Sequence, residues 1–383
     1  MQHKRKIIYL AGFIFSLSVA LMAYINSSFI SSFVSEKLVG TVYTLGSIFS
    51  ILALLVVPSI FRKVGGYRFL LWAIGLNALS ILLFAFSKNA FGATILFTFG
   101  FTLNILIYFS LDEILKIFSK ESSTGKTRGS YLALCSLAWI LAQLLLGTVL
   151  GEFSFQAIYL TSFAVMLLLL GISYVCLKSI PDPTYDKKNT IKYIGEFFKN
   201  KNLFRAYSMS LLLQFFFCWM VIYTPIYLSL HLGFSWKEIG IIFAVMLLPF
   251  LIIPFHLGSY SDKIGERKIL MFGFTIASLA TLSIFLINQH QVWIWALVLF
   301  TTRIGAASIE VAADSYFFKH IRPENEEYVG VYRSAAPVAY IIGPALAFIV
   351  LSFVPSFNFI YLILGTFMLY GVYLAGTIRK NDK

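Results

Sequence analysis

Residues 258–268 read Gly-Ser-Tyr-Ser-Asp-Lys-Ile-Gly-Glu-Arg-Lys, a charged turn between two long apolar runs. A degenerate copy, Pro-Ser-Ile-Phe-Arg-Lys-Val-Gly-Gly-Tyr-Arg, occupies residues 58–68. The apolar runs on either side are about 20 residues or longer, which is enough to cross a bilayer as helices. A charged turn that recurs at about half the chain length predicts two similar halves in a membrane.

The composition points the same way. Of the 383 residues, 59% are hydrophobic and only 12% are charged, and a soluble domain carries about twice that charged fraction. The net charge of +13 comes from Lys and Arg in alternate loops, which is typical of cytoplasmic loops and not of a nucleic-acid-binding surface. Cys135, Cys176 and Cys218 lie inside apolar runs without the spacing of a metal or redox site, so we expect neither metal nor cofactor.

The apolar runs predict an all-α polytopic membrane protein with twelve transmembrane helices. Their predicted ranges are 7–29, 38–61, 67–87, 91–118, 128–150, 155–179, 204–229, 237–259, 267–288, 292–318, 327–352 and 357–379. We expect an N-terminal six-helix bundle (1–179), a polar linker (180–203) that includes a short amphipathic helix, and a C-terminal six-helix bundle (204–383). The positive charge of alternate loops predicts that both termini are cytoplasmic.

The repeat extends beyond the charged turn. Gly129 and Tyr131 match Gly330 and Tyr332, and residues 154–160 share a Ser-Phe-x-x-Ile-Tyr-Leu pattern with residues 356–362. Two parallel six-helix repeats suit a carrier that rocks one half against the other around a site near the middle of the membrane.

Together the twelve helices, the central linker and the charged loop after helices two and eight resemble the major facilitator superfamily over the whole chain. The family's loop signature is matched by Gly258, Asp262, Lys263, Gly265, Arg267 and Lys268, with Glu266 where a basic residue is more usual. In the first copy, Pro58 replaces the leading glycine and Arg62 replaces the aspartate. We therefore expect an intact conformational latch only in the second half.

Acidic residues near the predicted helix ends are the expected partners of these basic loops. We expect Asp314 to lie near Arg267 or Lys268. In the first half, we expect Asp112 or Glu113 to lie near Arg62 or Arg68. These residues are candidates for gating contacts and not for solute ligands.

Charges inside a membrane are costly and are functional candidates by default. Predicted helix ten contains Arg303, Glu310 and Asp314, and the first two, seven residues apart, share a helix face about 10 Å apart. The resemblance implies that helices one, four, seven and ten line a central cavity, where Arg303 would bind a carboxylate or phosphate. The alternative is an internal ion pair of Arg303, with Glu310 or with another helix, that holds the bundle together.

Glu310 is the candidate for a protonation site, because burial favours the neutral form of a carboxyl group. It is equally compatible with a structural pairing. His256 is a candidate partner or pH-responsive group, or simply a polar residue near a helix end.

Uncharged polar and aromatic residues on several helices are candidates for orienting a small organic solute. They are Tyr24, Asn26, Asn104, Tyr108, Trp139, Gln143, Gln214, Trp219, Tyr223 and Tyr340. The alternative for each amide is a hydrogen bond that joins neighbouring helices.

The sequence therefore predicts a monomeric secondary transporter in the cell membrane that moves a small organic solute, with H⁺ as the coupling ion. The main alternative is a proton-linked multidrug efflux antiporter. Thr102 stands where that class has an arginine in helix four, and helix five lacks its Gly-Pro motif, which appears instead as Gly343-Pro344. A third possibility is a transporter-like sensor. No nucleotide-binding loop or nucleophile constellation favours an enzyme.

Overall fold

The computed structural model describes residues 2–117, 124–152, 154–178, 190–321 and 327–378, and these residues are almost entirely helical. Twelve helical stretches within them are long and apolar enough to cross a membrane. The predicted all-α, twelve-span architecture is confirmed. The sidedness of the termini stays a prediction.

The helices follow the chain order of the predicted spans. The first seven are α1 (Gln2–Ala23), α2 (Asn26–Ser31), α3 (Glu36–Val64), α4 (Gly66–Ala85), α5 (Ala90–Ile117), α6 (Thr124–Glu152) and α7 (Phe155–Cys176). The linker contributes α8 (Thr190–Lys199). The remainder are α9 (Lys201–Ile226), a π-helical turn (Tyr227–His231), α10 (Trp236–Ile264), α11 (Glu266–Ile284), α12 (Val292–Lys319), α13 (Glu327–Arg333), α14 (Ala335–Phe353) and α15 (Phe359–Gly376).

The helices form two compact units. The first is Met1–Lys187 together with Ser235–Ala244, and the second is Lys188–Phe234 together with Val245–Lys383. The first turns of α10 thus belong to the first unit, whereas the predicted boundary assigned all of helix eight to the C-terminal bundle. At this point Gly240 lies so close to α6 that an added Cβ would be 2.6 Å from the Cα of Gly147.

The two copies of the charged turn share one backbone conformation. Gly65 ends α3 with φ 87° and ψ 142°, and Gly265 ends α10 with φ 85° and ψ 141°. Positive φ favours glycine, because any other L-residue is strained there. The repeat is therefore preserved in the backbone even where the flanking charges differ.

Two predicted spans are interrupted. The first breaks at Tyr24 and Ile25 between α1 and α2, and the eleventh breaks at Ser334 between α13 and α14. Pro337 explains the second break, because it has no N–H to donate to the carbonyl of Arg333 one turn earlier. The breaks matter because candidate site residues lie beside both of them.

Candidate functional site

Helix α12 carries the three predicted membrane charges, and its position against α11 is fixed by small residues. An added Cβ on Gly305 would lie 2.5 Å from both the backbone nitrogen of Ala277 and the carbonyl oxygen of Gly273. The two backbones therefore touch directly, between the levels of Arg303 and Glu310. This close approach holds the charged helix in one orientation.

Arg303 packs against aromatic rings of α9. Its side chain is only 1% exposed, and its guanidinium carbon lies 5.0 Å from the ring centroid of Phe216 and 5.9 Å from that of Phe217. These are cation–π distances. Arg303 thus joins α12 to α9 and is almost completely buried.

Arg303 and Glu310 lie in different surroundings. Glu310 is exposed, and no ion pair joins the two residues, both of which the structure describes. The predicted common helix face is compatible with this difference, because the two residues lie about two turns apart along α12. The Arg303–Glu310 pair is therefore not formed in the structure, and a structural contact of Arg303 with another helix stays open as the alternative.

Four residues around Glu310 form what we call the carboxylate cluster: Glu310, Asp314, Tyr332 and Arg333. Arg333 Nη2 donates to Asp314 Oδ2 at 3.1 Å, and Tyr332 Oη donates to Asp314 Oδ1 at 2.9 Å. Asp314 and Arg333 are the charged neighbours of Glu310. The cluster contains two carboxylates and one guanidinium group.

The cluster corrects one prediction. Asp314 was expected to pair with Arg267 or Lys268, but its partners are Arg333 and Tyr332, and both loop residues are exposed. The reason is the break at Ser334, which ends α13 directly beside α12. Tyr332 is held there by stacking on Phe317, with ring centroids 4.0 Å apart and planes at 6°.

The charged turn contacts α12 through Glu266, the residue that departs from the family signature. Glu266 begins α11 and forms an ion pair with Lys319, and Ser315 Oγ donates to its Oε1 at 3.2 Å. A basic residue at position 266 could not make these contacts.

Five predicted site residues lie outside the residues whose side chains the structure describes. They are Arg62, His256, Gly258, Asp262 and Lys263. Asp112 and Glu113 are half-buried, and Arg68 is exposed. Asp112 acts electrostatically on Tyr131, which is the repeat counterpart of Tyr332.

In the first unit, three of the amide candidates join helices. Gln143, fully buried on α6, donates from Nε2 to the carbonyl of Ala20 at 3.1 Å, just before the break in the first span. Asn26 accepts a hydrogen bond of 2.9 Å from Tyr159 on α7. Asn104 accepts one of 3.0 Å from Asn77 on α4. For these amides the structure favours the interhelical alternative.

The aromatic candidates of the first unit have different exposures. The ring of Tyr24 is buried, with its centroid 6.2 Å from that of Trp139 and 4.7 Å from that of Phe243. Tyr108 is 47% exposed and remains accessible to a solute.

In the second unit, Trp219 is structural. It is 1% exposed, and its Nε1 donates to the carbonyl of Gly343 at 2.8 Å. Tyr223 is fully buried. Gln214 and Tyr340 are half-buried, so they are the accessible uncharged candidates of this unit.

An apolar groove of about 550 Å³ lies between α3 and α5 in the first unit. Leu45, Phe49, Leu52, Phe99 and Thr102 are among its lining residues. Thr102 is the repeat counterpart of Arg303. The two units therefore present different chemistry at equivalent positions, an uncharged threonine in the first and an arginine in the second.

Sequence reasoning missed Arg333 and Tyr332 as members of the cluster. Arg333 was grouped with the loop charges, because its predicted helix was read as one continuous span. The signal that could have found it is Pro337, which predicts a break one turn earlier.

Comparison with known proteins agrees with this architecture. Residues 220–383 match the family model described as Major Facilitator Superfamily. A comparison with curated protein sequences finds no match.

Solved structures with the same fold cover the whole chain. One is the POT family transporter PepTSo, with a TM-score of 0.78, 11% identity, and coverage of 98% of this chain and 97% of that one. Another is an auto-inhibited POT family peptide transporter, with a TM-score of 0.78, 10% identity, and coverage of 100% and 98%. A third is a bacterial homologue of the human lysosomal transporter Spinster, inward-facing and unoccupied, with a TM-score of 0.66, 13% identity, and coverage of 100% and 99%.

The twelve helices that are long and apolar enough to cross a membrane define the class as a polytopic α-helical membrane protein. Residues 220–383, in the second half of the chain, thus match the Major Facilitator Superfamily model, and the whole chain has the fold of the transporter structures named above.

Proposed function

We propose that this protein couples the movement of a small organic solute to protons, and that Glu310 is the proton-binding residue. The observation that carries the proposal is an exposed carboxylate inside a membrane span. An ionised side chain at that depth is too costly to face lipid and marks an ion or solute path.

The charge balance of the carboxylate cluster supports this role. Asp314 is engaged by both Arg333 and Tyr332, so the single guanidinium group is already paired with one of the two carboxylates. An ionised Glu310 leaves the cluster with one surplus negative charge. That surplus is relieved by a proton or by a cationic group of the solute.

The position of Arg333 offers a route from protonation to movement. Arg333 is the last residue of α13, directly before the break at Ser334. When Glu310 is ionised, it competes with Asp314 for Arg333, and when it is protonated, Arg333 stays with Asp314. Proton binding thereby changes the force on α13, which is the kind of two-state element that alternating access requires.

We propose a neutral, zwitterionic or cationic solute, because the surplus charge of the cluster is negative. Arg303 is a positioning residue in this account, since it is covered by Phe216 and Phe217. One of the similar structures is a peptide transporter by name, which supports including short peptides in the first screen. We place the protein in the cell membrane as a monomer.

A second candidate is proton-linked efflux of lipophilic cations. The observation in its favour is the apolar groove between α3 and α5, which fits the apolar body of such a cation. The two candidates differ in direction, because efflux requires solute and proton to move oppositely.

The test begins with a thermal-shift screen of amino acids, short peptides and lipophilic cations on the purified protein. Hits are then used in proteoliposomes with an imposed pH gradient. We expect Glu310→Gln to abolish gradient-driven accumulation and to retain solute–solute exchange, while Glu36→Gln, outside the cluster, behaves as wild type. Accumulation by Glu310→Gln at the wild-type rate would contradict the role of Glu310. The absence of flux for every stabilising hit would favour the sensor alternative.

A further inference from the structure

Helix α8 is docked on the second unit by aromatic side chains, of which Phe197 is the most deeply buried. Phe197 is fully buried, and its ring centroid lies 5.6 Å from that of Tyr328 and 6.3 Å from that of Phe317. This contact fixes the rotation of α8 about its own axis. The faces that α8 presents outward are therefore set by the fold.

Apolar side chains remain exposed near the junction of α8 and α9. Ile194 is 41% exposed, Phe198 38% and Phe204 49%. The rings of Phe198 and Phe204 lie 6.2 Å apart and form one aromatic pair across the junction. Exposed aromatic residues beside the start of a span are typical of the bilayer interface.

Two lysines flank this aromatic pair. Lys199 and Lys201 are exposed on either side of Asn200, whose side chain accepts hydrogen bonds from the backbone of Asn202 and Leu203 and so fixes the turn. Lys201 is also the first residue of a membrane span. Glu196 is the exposed carboxylate of α8, so these three residues together carry one net positive charge.

We propose that this patch, composed of Phe198, Lys199, Lys201 and Phe204, binds the headgroup region of an anionic phospholipid. The aromatic rings enter the boundary between headgroups and acyl chains, and the ammonium groups contact the phosphate. Positive charge complements an anionic headgroup, and the amphipathic helix lies beside a span entry, where headgroups are found. This proposal is independent of the solute and of Glu310.

The effect of the lysines can be estimated. Each lysine near the membrane surface increases the affinity for an anionic membrane about fivefold relative to an uncharged membrane. Removal of both charges is therefore expected to weaken the preference for anionic lipid by more than about tenfold. High salt is also expected to weaken the preference for anionic lipid, because exposed charges are screened by salt.

The test is hydrogen–deuterium exchange of the full-length protein in nanodiscs, followed in the segment 194–205. One set of nanodiscs contains phosphatidylcholine alone, and the other also contains phosphatidylglycerol. We expect slower exchange with phosphatidylglycerol, reversed by salt and by the double variant Lys199→Gln/Lys201→Gln. The matched control Lys88→Gln/Lys237→Gln removes two exposed charges elsewhere and should keep the wild-type response.

Three results would overturn the proposal. One is equal exchange in both lipid compositions. Another is wild-type protection in the double variant that has lost the lysines. The third is protection that depends on protein concentration in detergent and not on lipid charge, which would assign the patch to a second copy of the chain. Phe204→Ala gives an independent check, because it should weaken the lipid response while leaving the melting temperature close to wild type.

Discussion

Arg333 Nη2 donates to Asp314 Oδ2 at 3.1 Å and so ties the end of α13 to α12. The side chains are 57% and 33% exposed, respectively. The value of the pair for stability is therefore reduced by solvent screening. Its importance in our account lies in its position, beside Glu310 and before the break at Ser334.

A double-mutant cycle on this pair measures that contribution. We expect Asp314→Asn and Arg333→Gln to couple by about 0.2–1 kcal/mol in unfolding experiments, because both groups are partly exposed. We expect each single variant to lower the transport rate strongly, although the free energy of unfolding changes little. Additive effects on transport would show that the two residues do not act as a pair.

Tyr332→Phe removes only the hydroxyl that donates to Asp314. We expect a loss of about 1 kcal/mol in the free energy of unfolding, because the hydrogen bond to Asp314 is lost while the stack on Phe317 remains. Unfolding of the purified protein measures this loss. An unchanged free energy would mean that the Tyr332–Asp314 hydrogen bond contributes nothing.

Substitution of Arg303 tests whether it positions a helix or binds solute. We expect Arg303→Lys to lower the melting temperature, because an ammonium group cannot reproduce the planar contact with Phe216. Solute affinity, measured on hits from the screen, should change less than about twofold, because Arg303 is covered. A large loss of affinity for anionic hits at unchanged stability would restore Arg303 as a solute ligand.

Gly305→Ala tests the contact that orients α12. The new Cβ would meet the backbone of α11 at 2.5 Å, and we expect a loss of about 1–3 kcal/mol in stability, because backbone atoms cannot move aside easily. Gly171→Ala is the matched control, since a Cβ there meets nothing within 4 Å. It should be neutral or slightly stabilising, because alanine favours the helix.

Gly265→Ala tests the shared backbone of the two charged turns. The added Cβ has open space, so any loss reports the positive φ alone, and we expect about 1–2 kcal/mol. Gly265→Asn should cost less, because asparagine tolerates positive φ better. Equal stability of the alanine and glycine proteins would contradict this reading of the turn.

The sequence predicts the spans well, because membrane helices are marked by long apolar runs. It also places Arg303, Glu310 and Asp314 on one helix, since spacing along a helix follows from its geometry. The pairing of these residues is different. It depends on where α13 ends and on how α9 packs against α12, and both are tertiary features.

The polar candidates illustrate the same limit. Asn26, Asn104 and Gln143 are visible as polar residues in apolar runs, but only the packed helices show that they bond to Tyr159, Asn77 and Ala20. In a bilayer both roles require a polar side chain. A single sequence cannot separate them.

The central claim is that Glu310 carries the proton, and proton movement inside proteoliposomes tests it most directly. The vesicles enclose a pH-sensitive dye, and a solute identified by the screen is added outside without an imposed gradient. We predict that wild-type protein changes the internal pH as solute moves, whereas Glu310→Gln binds the solute but leaves the internal pH unchanged. Proton movement by Glu310→Gln at the wild-type rate would contradict the account.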